Sequence, residues 1–359
     1  MPTTLEAPVA LLAGEGLPDY AAITPEQVTA HMPGLLAELD QQLNHLEADL
    51  TAALEAGAPL SWQQVMGPLQ RLGERLRWSW GVVSHLNGVC NGPELRSAHA
   101  GQQAAVVAFG SRVGQSRVLY RALESLQASD SLDGTQQRIL AAERRDMELR
   151  GVGLDGNAQA AFNATTQELA ELSTRFGNQL LDATNSWSLL LTEPAEVEGL
   201  PESLRGQLAQ AARQGDHPDA SSAAGPWLLG LDMPRYAPFL KYSQRRDLRE
   251  RLYKAHVSRA SGEEGGNGPL IERILTLRRE QAQRLGYAHW ADVSLAAKMA
   301  GSVEEVEQLL EDLRAAAHPV AVQELAELRA CATRAGAPEA EALRAWDVSF
   351  WAEVRRQEA

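Results

Sequence analysis

Residues 35–50 read LLAELDQQLNHLEADL, and leucine returns in them every three or four positions. This spacing places Leu39, Leu43, Leu46 and Leu50 on one stripe of an α-helix, with Glu, Asp and Gln on the other faces. A half-buried strand would instead alternate apolar and polar residues. The stretch therefore predicts an amphipathic helix with one buried side, and it makes mainly α the expected fold class.

The same period recurs along much of the chain. Thr24-Pro25-Glu26-Gln27 combines a capping hydroxyl with proline, so we expect a preceding helix to begin there. Ser302-Val303-Glu304-Glu305 is a second capping signal. Further helical stripes are expected at Leu69, Leu72, Leu76, Trp80 and Val83; at Leu169, Leu172, Phe176, Leu180, Ala183, Trp187 and Leu190, over about 158–191; and at Val303, Val306, Leu309, Leu310 and Leu313.

The periodicity changes between about 192 and 245. Pro194, Gly199 and Pro201 break the long helix, and residues 215–225 are rich in turn residues. Residues 227–232 read WLLGLD, which is typical of a short strand, and with residues 239–242 they predict a small β-hairpin near 227–242. We expect a domain boundary in the preceding loop, which gives domains 1–222 and 223–359.

Composition limits the class of protein. With 359 residues, 44% hydrophobic and 22% charged, the chain is expected to form two or more domains or one extended helical array. The net charge of −14 argues against nucleic acid as a partner. Binding to phosphates is driven by the release of counterions, which requires a surplus of Lys and Arg on the protein. No membrane span, no leader peptide and only Cys90 and Cys331 are found, so we expect a cytoplasmic protein.

The spacing G-x-G-x-x-G occurs once, in Gly151-Val152-Gly153-Leu154-Asp155-Gly156. A dinucleotide site needs these glycines between a strand and a helix. Residues 139–149 are rich in Ala, Glu, Arg and Leu and are typical of a helix. We therefore interpret the motif as a turn between two helices and reject a nucleotide site.

The histidines do not form a zinc-peptidase helix, which needs two of them four residues apart with Glu after the first. No two histidines in this chain are four apart, and none precedes Glu. A zinc site assembled from distant residues stays open, although packed or solvated histidines are the favoured interpretation. The eight positions are His31, His45, His85, His99, His217, His256, His289 and His318.

Residues 244–254, QRRDLRERLYK, form a locally basic segment. One hypothesis is a surface for an acidic partner or nucleic acid. The favoured hypothesis is a solvated helix face with ion pairs four residues apart, Asp247 with Arg251 and Glu250 with Lys254.

The last segment, residues 346–354, reads WDVSFWAEV and predicts an amphipathic helix with Asp347 in the capping position. Phe350, Trp351 and Val354 would share one apolar face. The sequence ends without a Gly or Pro stop signal. We expect this face to lack its partner and the chain to be part of a longer protein.

Several segments together resemble the thimet-oligopeptidase family of zinc peptidases, and within it the bacterial oligopeptidase A branch. No single segment is diagnostic, but their order and spacing cover nearly the whole chain. They are SHLNGV at 84–89, NGPELR at 91–96, ELRGVGL at 148–154, GN at 177–178, LDATNSW at 181–187, LDMPRY at 231–236, LGYAHWAD at 285–292 and SLAAKMA at 294–300.

The resemblance implies an elongated multi-helix fold with a channel that admits short peptides and excludes folded proteins. In that family a zinc ion is held by an H-E-x-x-H helix and a later glutamate. None of these positions lies within the 359 residues, so the resemblance transfers no catalytic and no metal-binding residue, and it leaves the substrate-binding residues unknown. It implies zinc for the full-length family and none bound to this chain.

These expectations combine into one hypothesis with two alternatives. The chain is expected to be the N-terminal part of an oligopeptidase A-like metalloendopeptidase, inactive alone, with domain 223–359 as the beginning of the catalytic region. Its expected partners are short peptides and the missing C-terminal half. The alternatives are a stand-alone helical module that binds peptides or proteins, and one half of a split peptidase.

Overall fold

The computed structural model describes residues 9–128, 132–262 and 265–358. Within them it contains thirteen α-helices and one two-stranded antiparallel sheet, which confirms the mainly α class. Residues 1–8 of the predicted domain 1–222, and Ala359, lie outside the described residues. The elements are α1 Pro25–Glu55, α2 Trp62–Val89, α3 Pro93–Gly114, α4 Arg117–Gln127, α5 Gly134–Leu149, α6 Gly156–Ser186, β1 Ser188–Leu191, α7 Glu202–Gln214, β2 Trp227–Gly230, α8 Met233–Tyr242, α9 Arg246–Val257, α10 Gly268–Arg284, α11 Trp290–Leu295, α12 Val303–Arg334 and α13 Ala345–Glu358.

Helix α1 confirms the leucine stripe but joins two predicted helices into one. The Thr24 hydroxyl accepts a hydrogen bond from the Gln27 backbone N–H at 3.4 Å, as the capping signal predicted. The expectation of a separate preceding helix was wrong, because Pro33 lies inside α1 without ending it. Val28 and Met32 continue the buried stripe through this point, and their burial offsets the backbone hydrogen bond that proline cannot donate.

The chain divides into two compact units, and one of them contains the described residues up to Ser173 together with Ile274–Gly301. Its core collects apolar side chains from α1 to α5. Leu39, Leu43, Leu119 and Leu123 are fully buried there. Burying a leucine stabilises a fold by about 1.5–3 kcal/mol, so this cluster fixes how the helices pack.

The other unit contains Thr174–Arg273 and the described part of 302–359. Its sheet pairs Ser188 with Gly230 and Leu191 with Trp227. The strand predicted at 227–232 is confirmed over 227–230, but the hairpin near 227–242 was wrong, because residues 233–242 form α8. The predicted helix over 158–191 was too long at its end, since α6 stops at Ser186 and its last predicted residues form β1.

Helix α13 corrects the expectation for the last segment. Asp347 is not the residue that precedes the helix but lies in its first turn, where its carboxylate accepts the Arg344 backbone N–H at 3.0 Å. The face of Phe350, Trp351 and Val354 does not lack a partner, because it packs with buried residues of α12. The helix is therefore seated within its own unit.

The predicted boundary near residue 222 stays a prediction. Each of the two compact units is made of two separate stretches of the chain, so the units do not correspond to two consecutive domains. None of the helices in the described ranges combines the length and the low charge needed to cross a lipid bilayer.

Candidate functional site

The G-x-G-x-x-G segment forms the turn between α5 and α6, as the sequence predicted. Gly151 has φ of +81° and donates its N–H to the Glu148 carbonyl at 2.9 Å. The N–H of Val152 reaches back to the Met147 carbonyl at 3.1 Å. This pair of bonds is the Schellman ending of a helix, which needs a left-handed residue at the position of Gly151. The glycines therefore end a helix, and no strand precedes them.

A cleft of about 880 Å³ opens beside this turn, within one compact unit. Three guanidinium groups and one carboxylate line it, and two of the arginines also pair with carboxylates outside the lining, Arg117 with Asp155 at 3.7 Å and Arg284 with Glu280 at 3.5 Å. Apolar side chains from the turn and from the end of α10 complete the wall. The lining residues are Arg117, Tyr120, Arg121, Glu148, Gly151, Val152, Gly153, Leu154, Arg284 and Leu285.

The carboxylate in the cleft already has a partner. The Tyr120 hydroxyl donates to Glu148 Oε1 at 2.5 Å and accepts from Arg144 Nη2 at 3.2 Å. The bond to Glu148 raises the pKa of Tyr120, because ionising the phenol would place a second negative charge beside the carboxylate. Tyr120 therefore remains a hydrogen-bond donor, and its bond holds Glu148.

Two of the three arginines are oriented by neighbouring groups. Arg117 donates to the Leu154 carbonyl at 3.1 Å, and Arg284 donates to the Thr165 hydroxyl at 3.3 Å. Arg121 is exposed and lies four residues after Arg117 on the same face of α4. Guanidinium groups next to apolar wall residues suit a carboxylate that is attached to an apolar side chain. This arrangement can bind an anionic group.

Sequence reasoning missed this cleft. Arg117 and Arg121 lie on α4, whereas Arg284 ends α10, far away in the chain. The spacing of Arg117 and Arg121 by four was the only available signal, and it is equally typical of a solvated helix face.

Two of the histidines stack on aromatic rings, whereas His45, His85, His289 and His318 are exposed. His99 is buried and stacks on Trp80 with ring centres 4.6 Å apart, and burial lowers the pKa of His99. His256 stacks on Tyr236 at 4.0 Å. Among the described residues, no three His, Cys, Asp or Glu side chains lie close enough to share a metal ion. The residues present therefore do not fit the zinc centre that the resemblance implies, and the expectation of no bound zinc stays a prediction.

The basic segment 244–254 forms most of α9, and part of its charge is neutralised within the fold. Glu250 pairs with Lys254 at 2.6 Å, as predicted. The predicted pair of Asp247 with Arg251 was wrong, because Asp247 binds Arg245 at 2.7 Å instead. These ion pairs support the hypothesis of a structural helix over that of a nucleic-acid surface.

The segments that carry the resemblance have local structural roles in the described residues. In residues 231–236, the Arg235 guanidinium pairs with Asp232 and donates to the Leu228 carbonyl of β2 at 3.3 Å. A Cβ at Gly230 would lie 2.5 Å from Arg235 Nη2, so this glycine makes room for the arginine. In residues 285–292, the His289 backbone N–H donates to Asp292 at 3.0 Å and begins α11. These motifs stabilise turns and helix ends.

Comparisons with known proteins match both ends of the chain. A family model described as "Neurolysin/Thimet oligopeptidase, N-terminal domain" matches residues 32–159, and one described as "Peptidase family M3" matches residues 239–359. Together the two models match more than half of the chain.

Individual relatives align over almost the whole chain. "Probable cytosolic oligopeptidase A" of Arabidopsis thaliana is 40% identical over 337 residues, which are 92% of this chain and 47% of that protein. "Oligopeptidase A" of Salmonella typhimurium is 36% identical, over 97% of this chain and 50% of that protein. "Oligopeptidase A" of Escherichia coli is 35% identical over the same shares. The chain thus spans about half the length of the curated relatives it matches.

Proposed function

This chain belongs to the thimet-oligopeptidase family (peptidase family M3), and we propose that it is the N-terminal part of an oligopeptidase A-like zinc metalloendopeptidase. The proposed whole protein hydrolyses short peptides in the cytoplasm. Its division into a helical domain 1–222 and the beginning of a catalytic domain 223–359 is part of the proposal. The observation that carries it is an alignment to proteins named oligopeptidase A over 97% of this chain.

We further propose that the 359 residues are inactive alone. When bound, the zinc of this family activates a water molecule for attack on a peptide carbonyl. The sequence contains no H-E-x-x-H, and the described residues bring no set of metal ligands together. This chain supplies the scaffold and positions groups that bind peptide, while the ion is held by residues outside it.

The cleft beside the Gly151 turn supports peptide binding. A short peptide offers a terminal carboxylate and apolar side chains, and the cleft offers Arg117, Arg121 and Arg284 beside Val152 and Leu154. We propose that this cleft binds the carboxylate of a peptide. Three guanidinium groups in one cleft favour an anionic group at this place, although Arg117 and Arg284 also pair with Asp155 and Glu280.

One structural observation favours a second candidate, a stand-alone helical module that binds peptides or proteins. The apolar face of α13 is packed within its own unit, so the unpartnered helix end that argued against such a module is not observed. A split peptidase, in which a separate chain supplies the zinc site, accounts for the same packing. The two candidates differ in whether adding a zinc-binding chain produces activity.

Zinc content and peptide cleavage of the pure chain test the main proposal. The chain is equilibrated with zinc, passed through a desalting column, and measured by elemental analysis and with a quenched fluorescent peptide. The proposal predicts less than one zinc per ten chains and no cleavage above the buffer rate. One zinc per chain together with chelator-sensitive cleavage would overturn it.

A further inference from the structure

The N-terminal part of α12 is exposed on every side. Each residue from 307 to 324 is exposed, including Leu309, Leu310, Leu313 and Val322. A single helix in water is only marginally stable, and Pro319 removes one more of its backbone hydrogen bonds. Its leucine and valine side chains are more than half exposed. A cluster of exposed apolar side chains of this kind usually marks a surface that binds another segment or protein.

Five apolar residues of this helix lie along one face. Val306, Leu310, Leu313, Ala317 and Ala321 are spaced by four, three, four and four, which keeps them on one face. We call these five residues the α12 stripe. Val322 is exposed to the same degree as Leu313, at 57%, but it lies on another side of the helix.

The α12 stripe continues a face that is already an interface. The same spacing leads through Leu325 to Leu328 and Ala332, which are buried with Trp351 of α13 and Ala340. One stretch of this face is thus covered by a helix, and the stretch before it is open. A spacing that alternates between three and four residues is the pattern that a second helix fills.

We propose that the α12 stripe is the docking surface for a helix of the zinc-binding part of the peptidase. This inference rests on the proposed function, because that part corresponds to the half of the relatives that these residues do not match. Helix α12 lies inside the region matched by the peptidase family model, so its open face belongs to the peptidase portion. A second copy of the chain fits less well, because two chains of charge −14 repel each other.

Cysteine protection in a single-chain fusion tests the docking surface. The fusion joins this chain to the portion of Escherichia coli oligopeptidase A that has no counterpart in it. Leu310→Cys is compared with Val322→Cys, each in a Cys90→Ala background because native Cys90 is exposed. We expect maleimide to label Leu310→Cys at least tenfold more slowly in the fusion than in the chain alone, and Val322→Cys to slow by less than threefold. Equal labelling of Leu310→Cys in both proteins would overturn the proposal.

A binding measurement separates this inference from the proposed function. The same portion of the Escherichia coli relative is made separately and mixed with the chain, and binding is followed by sedimentation velocity and zinc-dependent peptide cleavage. Leu310→Glu is expected to weaken binding at least tenfold and Val322→Glu less than twofold. Cleavage that survives Leu310→Glu would end the docking proposal and leave the peptidase proposal standing.

The remaining outcomes are also decisive. A complex that depends on Leu310 but never cleaves peptide would support docking at the α12 stripe and contradict the peptidase proposal. Failure to form any complex, combined with unprotected Leu310→Cys in the fusion, would overturn the docking surface. Self-association of the chain alone that Leu310→Glu abolishes would assign the α12 stripe to a second copy, and this too would contradict the proposal.

Discussion

Asp347 Oδ1 accepts a hydrogen bond from Arg249 Nη2 at 3.1 Å, and both side chains are excluded from solvent, at 0% and 1% exposure. Arg246 donates two further bonds to the same carboxylate, at 3.0 and 2.8 Å. Arg249 also donates hydrogen bonds to two backbone carbonyls, to that of Trp346 at 3.1 Å and to that of Ser243 at 2.7 Å. This network fastens α13 to α9 across 98 residues of sequence.

Removing the carboxylate should destabilise the fold. In Asp347→Asn the buried Arg249 guanidinium loses its nearest countercharge and keeps only Glu339, at 3.9 Å. Breaking a buried pair from one side costs about 3–5 kcal/mol. Urea unfolding followed by circular dichroism should show this loss in the transition that includes α13. The matched control is Asp312→Asn, since Asp312 is exposed on α12, and it should change the free energy of unfolding by less than about 0.5 kcal/mol. Equal stabilities of the two variants would show that the network contributes nothing.

The same carboxylate should make stability depend on pH in the acid range. Burial would raise the pKa of Asp347, but hydrogen bonds from Arg246, the Arg344 N–H and Arg249 outweigh it and lower the pKa below 3.8. The unfolded chain then binds this proton more readily, so the contribution is complete above pH 3.8 and is lost as pH falls through the lower folded value. The difference in unfolding free energy between wild type and Asp347→Asn should be constant from pH 5 to 7 and shrink below pH 4. A difference that grew towards low pH would contradict the assigned direction.

The turn between α5 and α6 should tolerate alanine at one glycine and not at the other. At Gly151, with φ of +81°, a Cβ would be strained and would lie 2.9 Å from Leu154 Cδ1. Gly151→Ala should therefore lower the free energy of unfolding by about 1–2 kcal/mol. Gly153→Ala is the control two residues away, because a Cβ there meets nothing within 4 Å. Thermal unfolding of both variants checks this, and equal melting temperatures would argue against the Schellman ending.

The cleft should distinguish peptides by their terminal charge. Arg121→Ala is expected to weaken binding of a short peptide with a free carboxylate by about two- to fivefold, since one exposed charge pair contributes about 0.2–1 kcal/mol. Arg138→Ala removes an equally exposed arginine of α5 that does not line the cleft, and it should leave the affinity unchanged. Isothermal titration calorimetry with free and amidated peptides measures both effects. The carboxylate role fails if amidation leaves the affinity of the wild-type chain unaltered.

The spacing of apolar residues and the capping residues predicted those helices whose bounds depend on neighbouring residues in the sequence. The leucine stripe of α1 and the caps at Thr24 and Ser302 follow from spacing and from one hydroxyl, and the structure confirms them. The sequence also predicted a strand at 227–232 from its apolar residues, and the structure has one over 227–230. It misassigned β1, since Trp187 and Leu190 keep a helical spacing with Leu180. Pairing with a strand almost forty residues away overrides that local preference.

Long-range contacts explain the remaining errors. The predicted hairpin near 227–242 was wrong, because Pro234 occupies the first turn of α8, where proline is well tolerated. Asp347 was assigned a cap by its neighbours, but its main partners are Arg246 and Arg249 on α9. The cleft likewise combines α4 with the end of α10. The resemblance identified the family because it depends on the order and spacing of short segments along the sequence. That comparison requires no knowledge of which residues are in contact.

The most direct test of the central claim is zinc-dependent peptide cleavage by the single-chain fusion described above. The account predicts that the fusion binds about one zinc per molecule and cleaves a quenched peptide, that a chelator abolishes cleavage, and that the 359-residue chain alone does neither. A fusion that unfolds cooperatively yet binds no zinc and cleaves no peptide would contradict the claim that this chain is the scaffold half of an oligopeptidase.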